Sequence, residues 1–217
     1  MTTLTLTDCH RQLRSGSQII LLWLLAVVAL SASGLLANDS GLSRLLMPAL
    51  ILLPVAAFLV TWRNNSRFRE FVLGIETGLL VILHSWRMVG MGFIFLYAHD
   101  VLPGLFAWLA GVGDMLAATG AVLLGSALLR GKTVSRRALL RWNTFGLLDF
   151  VIAVVIGTAL RSTWLGGTVN TDAMALLPLS LVPTVIVPLY VITHLVIYLQ
   201  LHADKLTGRQ IPGEQRS

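Results

Sequence analysis

Cysteine is nearly absent: the 217-residue chain holds one, Cys9. A single thiol in a polar N-terminal segment excludes a disulfide framework and the paired cysteines of a structural zinc site. Charge is scarce as well, at 12% of residues, with 10 Asp and Glu against 16 Lys and Arg. The connections between apolar runs are short, so one bundle without a soluble domain between its helices is expected. Common chemical signatures are missing too: there is no Walker loop, dinucleotide-binding glycine pattern, HExxH, CxxC or nucleophile elbow. GVGDML around Asp114 is too short and in the wrong context to bind a nucleotide. The net charge of +6 does not point to nucleic acid, because the cations stand in short clusters between apolar runs.

Apolar sequence is what the chain has in abundance. It is 56% hydrophobic, with a mean hydropathy of +0.81, a composition of polytopic membrane proteins. Six runs, 18–37, 42–62, 71–98, 102–129, 142–161 and 174–201, each approach the ~20 residues of a spanning helix. The expected fold is all-α, a polytopic transmembrane bundle of about six helices. It would form a single membrane domain over 1–217, with residues 18–62 as a first helical pair of scaffold character. Residues 71–201 would form a four-helix unit with a polar centre, followed by a short cytoplasmic tail, 202–217. Arg11 and Arg14, then Ile19–Leu30 and Ser31-Ala32-Ser33, also resemble a cleavable secretory signal. The apolar run continues through Leu35 and Leu36, which favours a retained helix.

Orientation follows from the basic residues. With the N-terminus inside, thirteen fall on cytoplasmic segments: Arg11, Arg14, Arg63, Arg67, Arg69, Arg130, Lys132, Arg136, Arg137, Arg141, Lys205, Arg209 and Arg216. Only Arg44 and Arg161 fall outside. Both termini are therefore expected in the cytoplasm. Trp62 and Trp142 would mark the inner interface, and Trp108 and Trp164 the outer one.

The third run, Phe71 to Ala98, carries Glu76, His84 and Arg87. On an ideal helix Glu76 and Arg87 lie about 20° apart, with His84 about 60° to one side. Counting rise from the middle of each run sets Arg87 level with Asp114, His84 near Asp149, and Glu76 with His194, the last pair about 10–12 Å towards the cytoplasm. A charge at the bilayer centre costs at least ~2.5–3.5 kcal/mol, so these residues are expected to face protein or water. Small residues recur at Gly113, Ala117, Ala121 and Gly125, and at Gly74 and Gly78, the pattern of close helix packing. Pro178, Pro183 and Pro188 should kink the sixth helix and free carbonyls near Met174, Leu179 and Thr184.

Several stretches in this order carry a resemblance: His84-Ser85-Trp86-Arg87-Met88-Val89-Gly90, Leu102-Pro103-Gly104-Leu105-Phe106-Ala107, Ala110-Gly111-Val112-Gly113-Asp114, Trp142-Asn143-Thr144-Phe145-Gly146-Leu147-Leu148-Asp149, and Pro178 through Pro183 and Pro188 to His194. The chain resembles, over about residues 84–201, a group of small bacterial integral membrane proteins with no assigned activity. The resemblance implies that the last four helices are the working unit, with Arg87, Asp114, Asn143, Asp149 and His194 as its polar centre. It implies no substrate, cofactor or mechanism.

The expected function is transport or proton coupling in a bacterial inner membrane, with a polar intramembrane site for a small solute or ion. Candidate binding or proton-transfer residues are Glu76, His84, Arg87, Asp114, Asn143, Asp149 and His194. No cofactor is expected on this reading. The first alternative is a redox protein holding haem b or a quinone, with His84 and His194 as the ligands. The second is a non-catalytic assembly, sensor or accessory subunit whose polar pairs set helix register. No enzyme is specified: Ser85 has only His84 beside it in sequence, which points about 100° away on a helix. The partners expected are the lipid bilayer and either further copies of the chain or a larger membrane complex, because no internal transporter repeat is present.

Overall fold

The computed structural model describes residues 6–37, 41–161 and 169–207. Every long element is helical. Six stretches are long and apolar enough to cross a membrane: His10–Ala32, Leu45–Asn64, Thr77–Ala98, Gly104–Leu129, Arg136–Arg161 and Val182–Ala203. Apolar side chains cover their outer surfaces, and polar ones lie within. Trp86 and Val89 are each 71% exposed, whereas His84 and Arg87 on the same segment are 0% and 3% exposed. That inversion suits a hydrocarbon surround. The chain is a multi-pass membrane protein by the length and composition of its helices.

The chain divides into two compact units, one from residues 1–74 and 172–192, the other from 75–171 and 193–217. In the first unit, α1 spans Leu6–Ala32 and α2 spans Gly41–Asn64, the latter running through Pro48 and Pro54. Helix α1 starts well before the apolar run, so part of the polar N-terminal segment, Cys9 included, is helical. A short α3, Ser66–Leu73, is capped by Asn65, whose Oδ1 accepts from Phe68 N at 3.0 Å. A core of Val27, Leu36, Leu50, Ala175 and Val185, with Trp23 and Leu181 against it, joins α1 and α2 to the segment 172–192.

That segment is not the start of one long helix, contrary to the expected run 174–201. It forms a 3₁₀ turn at Asp172–Ala175, then a π-helical turn at Val182–Ile186. Helix α8, Val187–Thr207, follows. Pro178, Pro183 and Pro188 explain the irregularity, since each removes a backbone donor. The carbonyl of Thr184, which Pro188 deprives of its usual donor, accepts from Trp23 Nε1 at 2.9 Å. Ser31 and Ser180 hydroxyls meet at 2.8 Å beside it, both buried.

The expected run 71–98 begins in the first unit, continues into the second, and is broken twice. Residues up to Leu73 belong to α3, Gly74 ends that helix, and the chain restarts as α4 over Thr77–Leu83. A 3₁₀ segment, His84–Gly90, follows, and then α5, Met91–Ala98. Helix α6, Gly104–Leu129, packs against α4, the 3₁₀ segment, α5 and α7, which spans Arg136–Arg161. The small-residue stripe makes the packing possible. A methyl at Gly125 would sit 2.8 Å from the backbone nitrogen of Ile82, and one at Gly111 would sit 3.0 Å from Gly90 O.

Candidate functional site

The polar centre begins with the change of helix type at His84. A 3₁₀ helix turns every three residues, so side chains at i and i+3 eclipse. His84, Arg87 and Gly90 therefore share one face. Gly78, Val81 and Phe93 extend the same three-residue spacing, and all six are buried. The ideal α-helical spacing, which aligned Arg87 with Glu76, does not apply here. Glu76 stands exposed at the N-cap of α4, away from the buried cluster.

Arg87 is the hub. Its Nε donates to Asp114 Oδ1 of α6 at 2.7 Å, and its Nη2 donates to Asp149 Oδ2 of α7. Nη1 donates to Gly146 O at 3.2 Å and lies 3.3 Å from His194 Nε2. The guanidinium carbon stacks 3.9 Å above the centre of the Phe150 ring. The arginine side chain is 1% exposed, and those of Asp114 and Asp149 are 15% and 9%. Lysine, with a single ammonium, could not reproduce this fork.

Donor chemistry settles the tautomer of His194. Guanidinium nitrogens only donate, so Nε2 must accept and Nδ1 must carry the proton. Nδ1 then donates to Asn143 Oδ1 at 2.8 Å, while Asn143 Nδ2 donates to His194 O at 3.1 Å. The reciprocal pair holds the imidazole towards Arg87. His84 lies against it, with ring centres 4.1 Å apart at 37°, and its Nε2 is 2.9 Å from Thr193 Oγ1. Trp142 presents its edge to His84 at 5.3 Å and donates from Nε1 to Ala117 O at 2.9 Å.

Two placements differ from the depth estimates. Centring the run 174–201 as one helix puts His194 about 10–12 Å from the level of His84. The span begins at Val182 instead, which moves its middle about five residues towards His194 and brings the imidazoles into contact. Asp149, expected beside His84, reaches Arg87 instead. Trp142 is not an interfacial residue: α7 starts at Arg136, six positions earlier, and the indole is buried against His84. Trp164, Arg209 and Arg216 lie outside the described residues, as do the side chains of Cys9, Arg44 and Lys205.

Three glycines make room for the charged groups. A methyl at Gly90 would meet Asp114 Cβ at 2.5 Å, and one at Gly113 would overlap the Asp149 carboxylate. At Gly146 it would lie 2.7 Å from His194 Cε1 and 2.9 Å from Arg87 Nη1. Sequence reasoning took Gly113 as packing and passed over the other two as site elements. Their spacing was the available signal: Gly90 follows Arg87 by three residues, and Gly146 lies midway between Asn143 and Asp149. Thr193 and Phe150 were likewise missed, although each adjoins a named site residue. Among the described residues no group of three or more His, Cys, Asp or Glu is placed to hold a metal ion.

A family model described as a domain of unknown function (DUF8737) matches residues 44–202. The chain belongs to this family. The match takes in α2 from residue 44, all of α3 and every residue of the Arg87 cluster. No curated protein and no solved structure matches the chain.

Proposed function

We propose that this DUF8737 chain is a proton-coupled transport protein of a bacterial inner membrane, with the Arg87 cluster as its intramembrane site for an ion or small solute. One observation carries the reading. A single buried guanidinium is shared by carboxylates from two different helices, Asp114 and Asp149. With both ionised and His194 neutral, the cluster has a formal charge of −1. A proton or a bound cation would complete it, and exchange between the two would release one carboxylate from Arg87. His194, held by Asn143 with Nε2 facing the guanidinium, is the group through which a proton would approach. The count of thirteen inside cations against two outside supports cytoplasmic termini. Six candidate spans among the described residues, with no internal repeat, support assembly with further copies or other subunits.

A second reading has its own support. Gly90, Gly113 and Gly146 fit tightly around the charges, as they would if the cluster served only to fix helix register in an accessory subunit. The contact of His84 with His194 keeps a redox role in view, but both nitrogens of His194 are already engaged, which favours the proton-coupled reading over axial haem ligation.

The test is proton flux into proteoliposomes loaded with a pH-sensitive dye and driven by an imposed gradient. Asp149→Asn and Asp114→Asn should each lower flux at least about tenfold while the protein remains inserted and folded. Unchanged flux in both variants, with normal insertion, rejects the transport reading.

A further inference from the structure

The turn between α6 and α7 carries a dense run of positive charge. Arg130, Lys132, Arg136, Arg137 and Arg141 fall within twelve residues that contain no Asp or Glu. Arg130, Lys132, Arg137 and Arg141 are exposed. Among the described residues none of the five forms an ion pair. The six-residue connector joins two spanning helices, so it is held at the depth where those helices leave the hydrocarbon.

The turn is ordered by its own backbone. Gly131, at φ +69°, lets the chain reverse after Leu129. Gly131 N donates to Leu128 O and Lys132 N to Ala127 O, both at 2.9 Å, the paired bonds of a Schellman motif. Val134 is buried, and Ser135 Oγ accepts from Ala138 N at 3.2 Å to cap α7. Arg136 is tied down as well, donating to Leu201 O at 3.3 Å, with its Nε buried and without a hydrogen-bond partner. Arg136 and Arg137 occupy the first turn of α7, where the helix dipole disfavours cations. An anion at this turn would offset both the dipole and the mutual repulsion.

We propose that the α6–α7 turn is a binding surface for anionic phospholipid headgroups, with Lys132, Arg137 and Arg141 as the phosphate-facing cations. Position argues for lipid: the surface lies at the headgroup level by the length of its connector. Charge complementarity argues for the anionic class, since basic clusters adjoining a span attract such lipids.

Native mass spectrometry of the full chain, released from micelles with equal phosphatidylglycerol and phosphatidylcholine, tests it. The unaltered chain should retain phosphatidylglycerol at least about tenfold over phosphatidylcholine. Each cation contributes about fivefold, so K132Q/R137Q/R141Q should abolish most of the preference. R63Q/R67Q/R69Q removes the same net charge from another segment and should keep it. Equal retention of the two lipids by the unaltered chain overturns the proposal, whatever the variants do. Equal loss in both triple variants also overturns it, because net charge rather than this turn would then select the lipid.

Discussion

Replacing Arg87 by Met should destabilise the protein by about 3–5 kcal/mol, because it strips the partner from two buried carboxylates. The geometry sets that scale. The guanidinium donates to Asp114 at 2.7 Å and to Asp149, and its side chain is 1% exposed. Its other bonds, to Gly146 O and His194 Nε2, are lost at the same time, at about 1–3 kcal/mol for each acceptor left without a donor. Against a total stability of roughly 5–15 kcal/mol, such a loss would deplete the folded population visibly. The triple variant R87M/D114L/D149L removes the charges together and should recover to within about 1–2 kcal/mol of the parent, since an apolar set of similar volume avoids the desolvation penalty. The assay is unfolding by sodium dodecyl sulfate in mixed micelles at fixed protein concentration, followed by far-ultraviolet circular dichroism. A triple variant no more stable than R87M would refute the argument that unpaired charge is the cause. So would an R87M protein as stable as the parent.

Arg87→Lys should recover only a small part of that loss in the same titration, because one ammonium cannot reach Asp114, Asp149 and Gly146 O together. Gly113→Ala and Gly146→Ala should each cost about 1–3 kcal/mol by overpacking. Gly92→Ala, where an added methyl has nothing within 4 Å, should change stability by less than about 0.5 kcal/mol; equal losses at all three positions would remove the steric account. Trp23→Phe should cost about 1–3 kcal/mol by leaving Thr184 O without its indole donor. The same change in a Pro188→Ala background, where a backbone N–H is restored, should cost clearly less. A cycle showing no such coupling would mean that the indole bond does not serve the proline-freed carbonyl.

Much of the site was legible residue by residue. Arg87, Asp114, Asn143, Asp149 and His194 stand out because ionisable and amide groups are rare in apolar runs, and their burial cost demands partners. The pairing was only partly legible. Asp114 reaches Arg87 from the expected level, but Asp149 and His194 do so because α7 begins at Arg136 and the last span at Val182. Apolar sequence has no sharp edge at either point, so a midpoint estimate slips by several residues, and at about 1.5 Å per residue that exceeds a hydrogen bond. Glu76 shows the limit of periodicity: its alignment with Arg87 assumed one uninterrupted α-helix, and the chain breaks at Gly74 and again at His84.

Six helices long and apolar enough to span a membrane, the all-α class and the supply of buried polar groups can all be read from the chain's residues in order. These follow from composition and length, because a bilayer demands about 20 apolar residues with every backbone group satisfied inside the helix. The free carbonyl at Thr184 belongs with them, since a proline four residues later removes its donor wherever the helix lies. Packing alone sets which donor that carbonyl finds, and places one guanidinium between two helices. Packing likewise selects the 3₁₀ turn that sets His84 and Arg87 on one face. Local spacing cannot encode these outcomes, because they depend on how closely helices approach. That distance is set by glycines at 90, 113, 125 and 146 meeting side chains or backbone far away in the chain.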